Sequence, residues 1–137
     1  MRRTVRFGIS ADGELTERFD RAIAEGGYTN RSEAIRDLMR SHLVRQEWRK
    51  DEEVIGVVSL LYDHRKRELS RELISHQHHN EGRVLSSLHV HLDRDHCLEV
   101  IVVRGRAAQI KALAGKLIGT KGVKHGDWIT TSLGRSL

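Results

Sequence analysis

The sequence predicts an α+β protein built from two domains of different composition. A short alternating segment and two helical patterns fill the first fifty residues, whereas the rest follows a strand–helix–strand–strand–helix–strand order. Of the nine histidines, His42 alone precedes residue 60. A length of 137 residues suits one ordinary domain or two small ones. We therefore expect domains over residues 1–48 and 53–133, joined by the charged stretch 45–53.

Residues 5–10 alternate in the manner of a strand with one buried side. The apolar face consists of Val5, Phe7 and Ile9. The other face consists of Arg6, Gly8 and Ser10. A single strand has two unpaired edges and is not stable alone, so this segment needs a partner strand.

Two helices follow the predicted strand. Apolar residues recur at helical spacing over residues 14–25, and Gly26 with Gly27 ends this helix by allowing a positive φ. Asn30 with Glu33 resembles a capping box and predicts the start of the second helix. Two copies of the chain can supply the partner strand by pairing their strands antiparallel, as a ribbon in a swapped dimer, with four helices covering the inner face.

Such a ribbon would present Arg6, Gly8 and Ser10 from each chain on its outer face. A two-stranded ribbon fits the major groove of DNA, where Arg can bond guanine through two hydrogen bonds. The helix that begins after Asn30 offers N–H groups to a phosphate. The net charge of +5 permits an acidic partner. The alternative is that the strand is the edge of a larger sheet, with Arg6 merely solvated.

The second half predicts a βαββαβ domain of the ferredoxin-like type. Its expected strands cover residues 52–64, 84–92, 97–105 and 123–133, and its expected helices cover residues 66–80 and 107–122.

A metal site is predicted around residues 88–97, LHVHLDRDHC. His89 and His91 are two apart on a strand, so both imidazoles leave the same face. Cys97, the only cysteine, can share that face if the connecting loop has five residues or a bulge. The histidine-rich stretch 76–79 is the obvious source of a fourth donor. Helical projection turns His78 away from the chain's own sheet, toward another subunit.

The residue types alone do not decide which metal is bound. One thiolate and three imidazoles could hold Zn²⁺, although structural zinc sites usually contain more cysteines. Tetragonal N/S sites favour Ni(II) or Cu(II). Glu99 could orient a ligand imidazole. The histidines expected not to be ligands are His64, His76, His79, His96 and His125.

The stretches GYTNRSEAIRDLMR, QHH, LHVH and CLE, at their spacing in this chain, strongly resemble the nickel-responsive ribbon–helix–helix regulators of the NikR family. The resemblance implies an N-terminal DNA-binding dimer and a C-terminal ACT-like domain. It also implies a homotetramer, a dimer of dimers, that binds a palindromic operator in double-stranded DNA.

The family's square-planar site implies one Ni(II) per subunit. The resemblance matches His89, His91 and Cys97 to ligands of one subunit and His78 to the ligand of a neighbour. Arg6, Gly8 and Ser10 match base-reading positions, where Gly8 replaces the polar side chain of some members. Glu33 and Asp37 match acidic residues that some relatives use for a secondary cation.

The implied function is a nickel-dependent transcriptional regulator that represses nickel-uptake genes. One alternative is a metal carrier or buffer without a DNA role, and another is an antitoxin-type repressor whose C-terminal half binds a protein. An enzyme is not expected, because four protein donors leave a planar site without an open position. With one cysteine and no long apolar run, we expect a cytoplasmic protein without a membrane segment.

Overall fold

The computed structural model describes residues 2–79 and 83–137. In these residues the chain forms α1 (Gly13–Glu25), α2 (Arg31–Arg49), β1 (Glu53–Asp63), α3 (Arg67–His78), β2 (Val84–His91), β3 (His96–Arg106), α4 (Ala107–Ile118) and β4 (Val123–Thr131). The α+β class and the βαββαβ order are confirmed. Met1 and Asn80, the outer ends of the predicted first domain and of the predicted helix 66–80, lie outside the described residues. No helix in the described ranges is long and apolar enough to cross a membrane.

The chain divides into two compact units between Ser41 and His42. Helix α2 continues through Arg49, so the first part of the stretch expected as a joint is helical. Trp48 explains this division because its ring is buried in the core of the second unit. Its indole N–H also donates to the carbonyl of Thr131, 2.9 Å away. The last turns of α2 therefore belong to the second unit.

Helix α1 begins and ends, and helix α2 begins, where the sequence predicts. Asp12 caps α1 by accepting a hydrogen bond from the N–H of Leu15 at 3.2 Å. Gly27 has a φ of 86°, the left-handed conformation that ends a helix most easily at glycine. Asn30 caps α2 by accepting from the N–H of Glu33 at 2.9 Å. The predicted cap is confirmed.

Residues 2–12 form neither helix nor strand in the single chain, so the strand predicted over residues 5–10, which needs a partner strand, is not formed within it. Val5, Phe7 and Ile9 are 68%, 65% and 72% exposed. A strand exists only through hydrogen bonds to a neighbouring strand, and no strand of this chain pairs with the segment. The alternative of an edge strand in a larger sheet finds no support within the described residues, because their sheet contains only β1–β4.

The four strands of the described chain form one sheet in the order β2-β3-β1-β4, with antiparallel pairing throughout. Alternate residues of the central strands β1 and β3 are buried, which gives the sheet one core face. Helices α3 and α4 contribute to the same core. Its fully buried large side chains include Leu60, Leu73, Ile101, Ile110, Leu113 and Leu117.

Gly56 of β1 lies where the sheet approaches α4 closely. A Cβ added there would lie 2.6 Å from the Cγ2 of Ile110. By contrast, a Cβ at Gly115 of α4 would have nothing within 4 Å.

We expect Gly56→Ala and Gly115→Ala to change stability in opposite directions. Gly56→Ala overpacks the core and should cost about 1–3 kcal/mol. Gly115→Ala should add roughly 0.5–1 kcal/mol because alanine loses less entropy in a helix. Urea unfolding followed by circular dichroism measures both. Stabilisation by Gly56→Ala would contradict the close approach of β1 and α4.

Asp93 organises the hairpin between β2 and β3. Its Oδ1 accepts from the N–H groups of Asp95 and His96, each at 2.8 Å. These contacts stabilise the carboxylate, and the hydrogen bond from the Asp95 N–H does so most, followed by the His96 ring and its N–H. The pKa of Asp93 is lowered from 3.8 to about 2.

Because the folded-state pKa is depressed, the stabilisation from Asp93 is present above pH 4 and is lost as the pH falls through 2. We expect the carboxyl carbon of Asp93 to titrate near pH 2 in an NMR experiment. In Asp93→Asn, which keeps an acceptor without the charge, less stability should be lost between pH 4 and 2. A titration midpoint near pH 4 for Asp93 in the wild type would contradict these hydrogen bonds.

Candidate metal centre

The β2–β3 hairpin brings three predicted donors to one face of the sheet. In the antiparallel register His91 pairs with Cys97, and His89 pairs with Glu99. Five residues separate His91 from Cys97, which is the loop length expected for a shared face. This face is also the one covered by the helices, because Cys97 and Glu99 are both buried.

His89 and Cys97 lie close enough to bind the same metal ion. The Nδ1 of His89 is 3.8 Å from the Sγ of Cys97. Metal–nitrogen and metal–sulfur bonds are about 2.0–2.1 Å and 2.3 Å long at zinc, so two such donors can be up to roughly 4.4 Å apart. The pair fits one metal ion, and its imidazole and thiolate are donors that nickel and copper accept.

His91 takes part in a different contact in this chain. Its ring is exposed and lies edge-on to the ring of His64, with 5.2 Å between the ring centres. In the described ranges, no group of three or more His, Cys, Asp or Glu side chains is arranged to hold a metal ion. The chain thus brings two donors together and places the third directly across the hairpin.

His78 is the last residue of α3 and is exposed, as its helical projection predicts. The preceding residue points the other way, because the side-chain N–H of Gln77 donates to Oε1 of Glu99 at 2.8 Å. The structure therefore places Gln77 beside the predicted centre and leaves His78 outside any group of donors in the described chain.

Glu99 is a carboxylate with only 1% of its surface exposed, and such a group must be hydrogen-bonded. Its Oε1 accepts from Ser87 at 2.9 Å as well as from Gln77. Its Oε2 accepts from the hydroxyl of Tyr62 at 3.1 Å. The Nε2 of His89 lies 3.3 Å from Oε1.

The position of Glu99 bears on which nitrogen of His89 is free for a metal. A charged carboxylate only accepts, so the 3.3 Å approach of Glu99 favours the tautomer of His89 that carries its proton on Nε2. In that tautomer the unprotonated Nδ1 is the nitrogen that lies near Cys97. A carboxylate behind a ligand histidine is the usual way to fix its tautomer and orientation. The orienting role of Glu99 stays a prediction.

The hydroxyl of Tyr62 lies beside both Glu99 and His89. Its OH lies 3.4 Å from Nδ1 of His89 as well as within reach of Glu99. Burial, followed by the nearby charges of Glu99 and Cys97, raises the pKa of Tyr62 far above its ordinary value. The hydroxyl therefore stays protonated and donates to Glu99. The sequence prediction missed Tyr62, Gln77 and Ser87, although the alternation of β1 marks Tyr62 as inward-facing.

Four of the histidines expected not to be ligands have other partners. His64 contacts the carbonyl of Arg94 at 2.8 Å. The remaining contacts are those of His76 with Glu72, His79 with Ser75, and His96 with Asp93 and Lys124. His125 is exposed on β4.

The residues predicted to contact DNA are accessible. Arg6, Gly8 and Ser10 are all exposed, and a Cβ added at Gly8 would meet nothing within 4 Å. Asn30 is occupied as the cap of α2.

Both carboxylates of the predicted secondary cation site are engaged within the first unit. Glu33 pairs with Arg36. Asp37 accepts from the hydroxyl of Tyr28 at 2.6 Å and from Arg40 at 2.8 Å. The Tyr28 hydrogen bond, with a smaller contribution from Arg40, lowers the pKa of Asp37. These arginines already supply the positive charge that a cation would bring.

Comparison with known proteins matches both halves of the chain. Residues 55–131 match the family described as NikR C terminal nickel binding domain. Residues 5–46 match the family described as ribbon-helix-helix protein, copG family. The two matched families confirm the fold expected of each domain.

Whole-chain relatives agree with these matches. A protein of Geobacter sulfurreducens is 54% identical over 138 residues, which cover 100% of this chain and 99% of that protein. A protein of Pyrococcus furiosus is 53% identical over 134 residues, which cover 97% of each chain. A third, of Thermococcus onnurineus, is 52% identical over 133 residues, which cover 96% of each. All three are provisionally named nickel-responsive regulators, a name that denotes no enzyme. This chain belongs to the NikR family of ribbon–helix–helix regulators.

Proposed function

We propose that this protein is a cytoplasmic, nickel-dependent transcriptional regulator that represses nickel-uptake genes. The observation that carries the proposal is the 3.8 Å approach of His89 Nδ1 to the sulfur of Cys97, with the carboxylate of Glu99 lying 3.3 Å from the other ring nitrogen. Membership of the NikR family supports nickel as the metal.

The proposed centre has four donors and spans two subunits. His89, His91 and Cys97 come from one subunit, and His78 comes from its neighbour, with one Ni(II) per subunit. The exposed position of His78 at the end of α3 supports this assignment. When bound, nickel would supply a link between the two subunits.

The N-terminal segment supports a second association between chains. Val5, Phe7 and Ile9 are large apolar side chains that water surrounds in the single chain. Pairing with the same segment of a second copy would bury them and satisfy the backbone of both strands. Arg6, Gly8 and Ser10 would then lie on the outer face of the ribbon, ready for the major groove.

Together these associations give a tetramer made of two dimers, whose two ribbons read the half-sites of a palindromic operator. In thermodynamic terms, nickel must bind the DNA-competent arrangement better than the others, and DNA must tighten nickel binding by the same factor. We propose no cation at Glu33 and Asp37, because each carboxylate already pairs with an arginine, Arg36 and Arg40 respectively.

The first prediction concerns Cys97 and DNA. Wild-type protein with Ni(II) should show nickel–thiolate charge-transfer absorption and should retard DNA that carries its operator. Cys97→Ser should lose both, since it lacks the thiolate donor. His125→Ala, which changes an exposed histidine outside the centre, should retain both.

A mobility-shift assay at moderate salt, with and without Ni(II), measures DNA binding. Stoichiometric nickel binding without retardation of any upstream DNA would favour the alternative of a metal carrier or buffer. Persistence of the absorption band in Cys97→Ser would contradict the assignment of the thiolate.

The second prediction concerns the origin of His78. His78→Ala and Cys97→Ser should each lack the nickel–thiolate band when pure. Unfolding the two variants and refolding them together in equal amounts should restore the band at about one quarter of the sites. At these sites a His78→Ala subunit supplies the other three donors and its Cys97→Ser neighbour supplies His78.

The matched control mixes His89→Ala with Cys97→Ser, whose missing donors belong to the same subunit's share of the site. No band should return in that mixture. Equal recovery in both mixtures, or in neither, would show that His78 is not shared between subunits.

A further inference from the structure

Arg65 joins the loop after β1 to the hairpin between β2 and β3. Its Nε and Nη2 donate to the two oxygens of Asp63, at 3.1 and 2.9 Å. Its Nη1 lies 3.2 Å from Oδ1 of Asp95 in the hairpin. One guanidinium thus hydrogen-bonds Asp63 through two N–H groups and forms an ion pair with Asp95 in a separate segment, an arrangement that the planar group of arginine suits and that lysine cannot reproduce.

Backbone contacts join the same two segments. The N–H of His64 donates to the carbonyl of Asp95 at 3.1 Å. The Nε2 of His64 also contacts the carbonyl of Arg94 at 2.8 Å. We name residues 63–65 and 94–95, with these contacts, the Arg65 clasp.

The clasp acts on the segment that separates two proposed nickel ligands. His91 precedes the hairpin and Cys97 follows it, so the shape of the hairpin determines how far apart the two donors lie. His64 belongs to the clasp and also lies edge-on against the ring of His91.

We infer that Arg65 is a positioning residue for the metal centre: it holds the hairpin so that His91 and Cys97 stay across from each other. This inference rests on the proposed function, since it concerns the nickel site. Arg65 touches no donor directly and acts through Asp95 and the hairpin.

Because Arg65 lies at the surface, its effect on the metal centre can be measured apart from any effect on folding. Its side chain is 62% exposed, and exposed ion pairs contribute little to folding stability. Removing it should therefore leave the fold intact. Residues that support metal ligands from behind typically change metal affinity by 10–100-fold, and Arg65 acts one step further away, so we expect a loss of about tenfold.

The experiment compares Arg65→Met and Arg65→Lys with a matched control, Arg71→Met, which changes an exposed arginine of α3. Nickel affinity is measured by competition titration, and hydrogen exchange of residues 94–97 is measured without metal. Arg65→Met should bind nickel about tenfold more weakly, with faster exchange in the hairpin and an unchanged melting temperature. Arg65→Lys should fall between, since an ammonium keeps the positive charge but lacks the planar fork that pairs with both oxygens of Asp63.

Arg71→Met should match the wild type in all three measurements. Equal nickel affinity and equal exchange in Arg65→Met and wild type would overturn the positioning role while leaving the nickel site in place. An equal loss in Arg71→Met would overturn it too, because the effect would then be one of general charge. Absence of nickel binding by the wild type would overturn the proposed function, and this inference with it.

Discussion

The buried carboxylate of Glu99 is the group on which the proposed metal centre depends. A charge removed from water must be compensated by hydrogen bonds, and Glu99 obtains them from α3, β1 and β2 at once. Satisfying this group therefore fixes the positions of three elements around one point. The same carboxylate lies 3.3 Å from Nε2 of His89, so the group whose burial organises the core also lies against a proposed nickel ligand.

The second unit has a hydrophobic core within the single chain, whereas the first unit leaves large apolar side chains exposed. In the second unit both helices contribute to the core of one sheet, and Trp48 extends that core to the end of α2. In the first unit the described helices are well capped, but Val5, Phe7 and Ile9 remain exposed. This difference explains why most of the proposed metal centre can be described within one chain, while the proposed DNA-binding ribbon requires two.

Local pattern predicted much of the fold because its causes are local. Alternation in residues 84–91 and 96–106 marks strands, and the five residues between His91 and Cys97 place both on one face. The cap at Asn30 and the left-handed Gly27 act through their immediate neighbours. The strand predicted at residues 5–10 does not form in the single chain, since a strand needs a paired neighbour and no strand of the described sheet pairs with this segment.

The sequence by itself determined the element order, the donor types and the outward position of His78, because periodicity and residue chemistry suffice for each. It also carried the resemblance to the family to which the chain belongs. Only the tertiary structure decided that Tyr62, Gln77 and Ser87 converge on Glu99, that His89 turns its Nδ1 toward Cys97, and that Arg65 joins two loops. Those contacts join residues up to 37 positions apart, and only packing of the helices on the sheet brings them together.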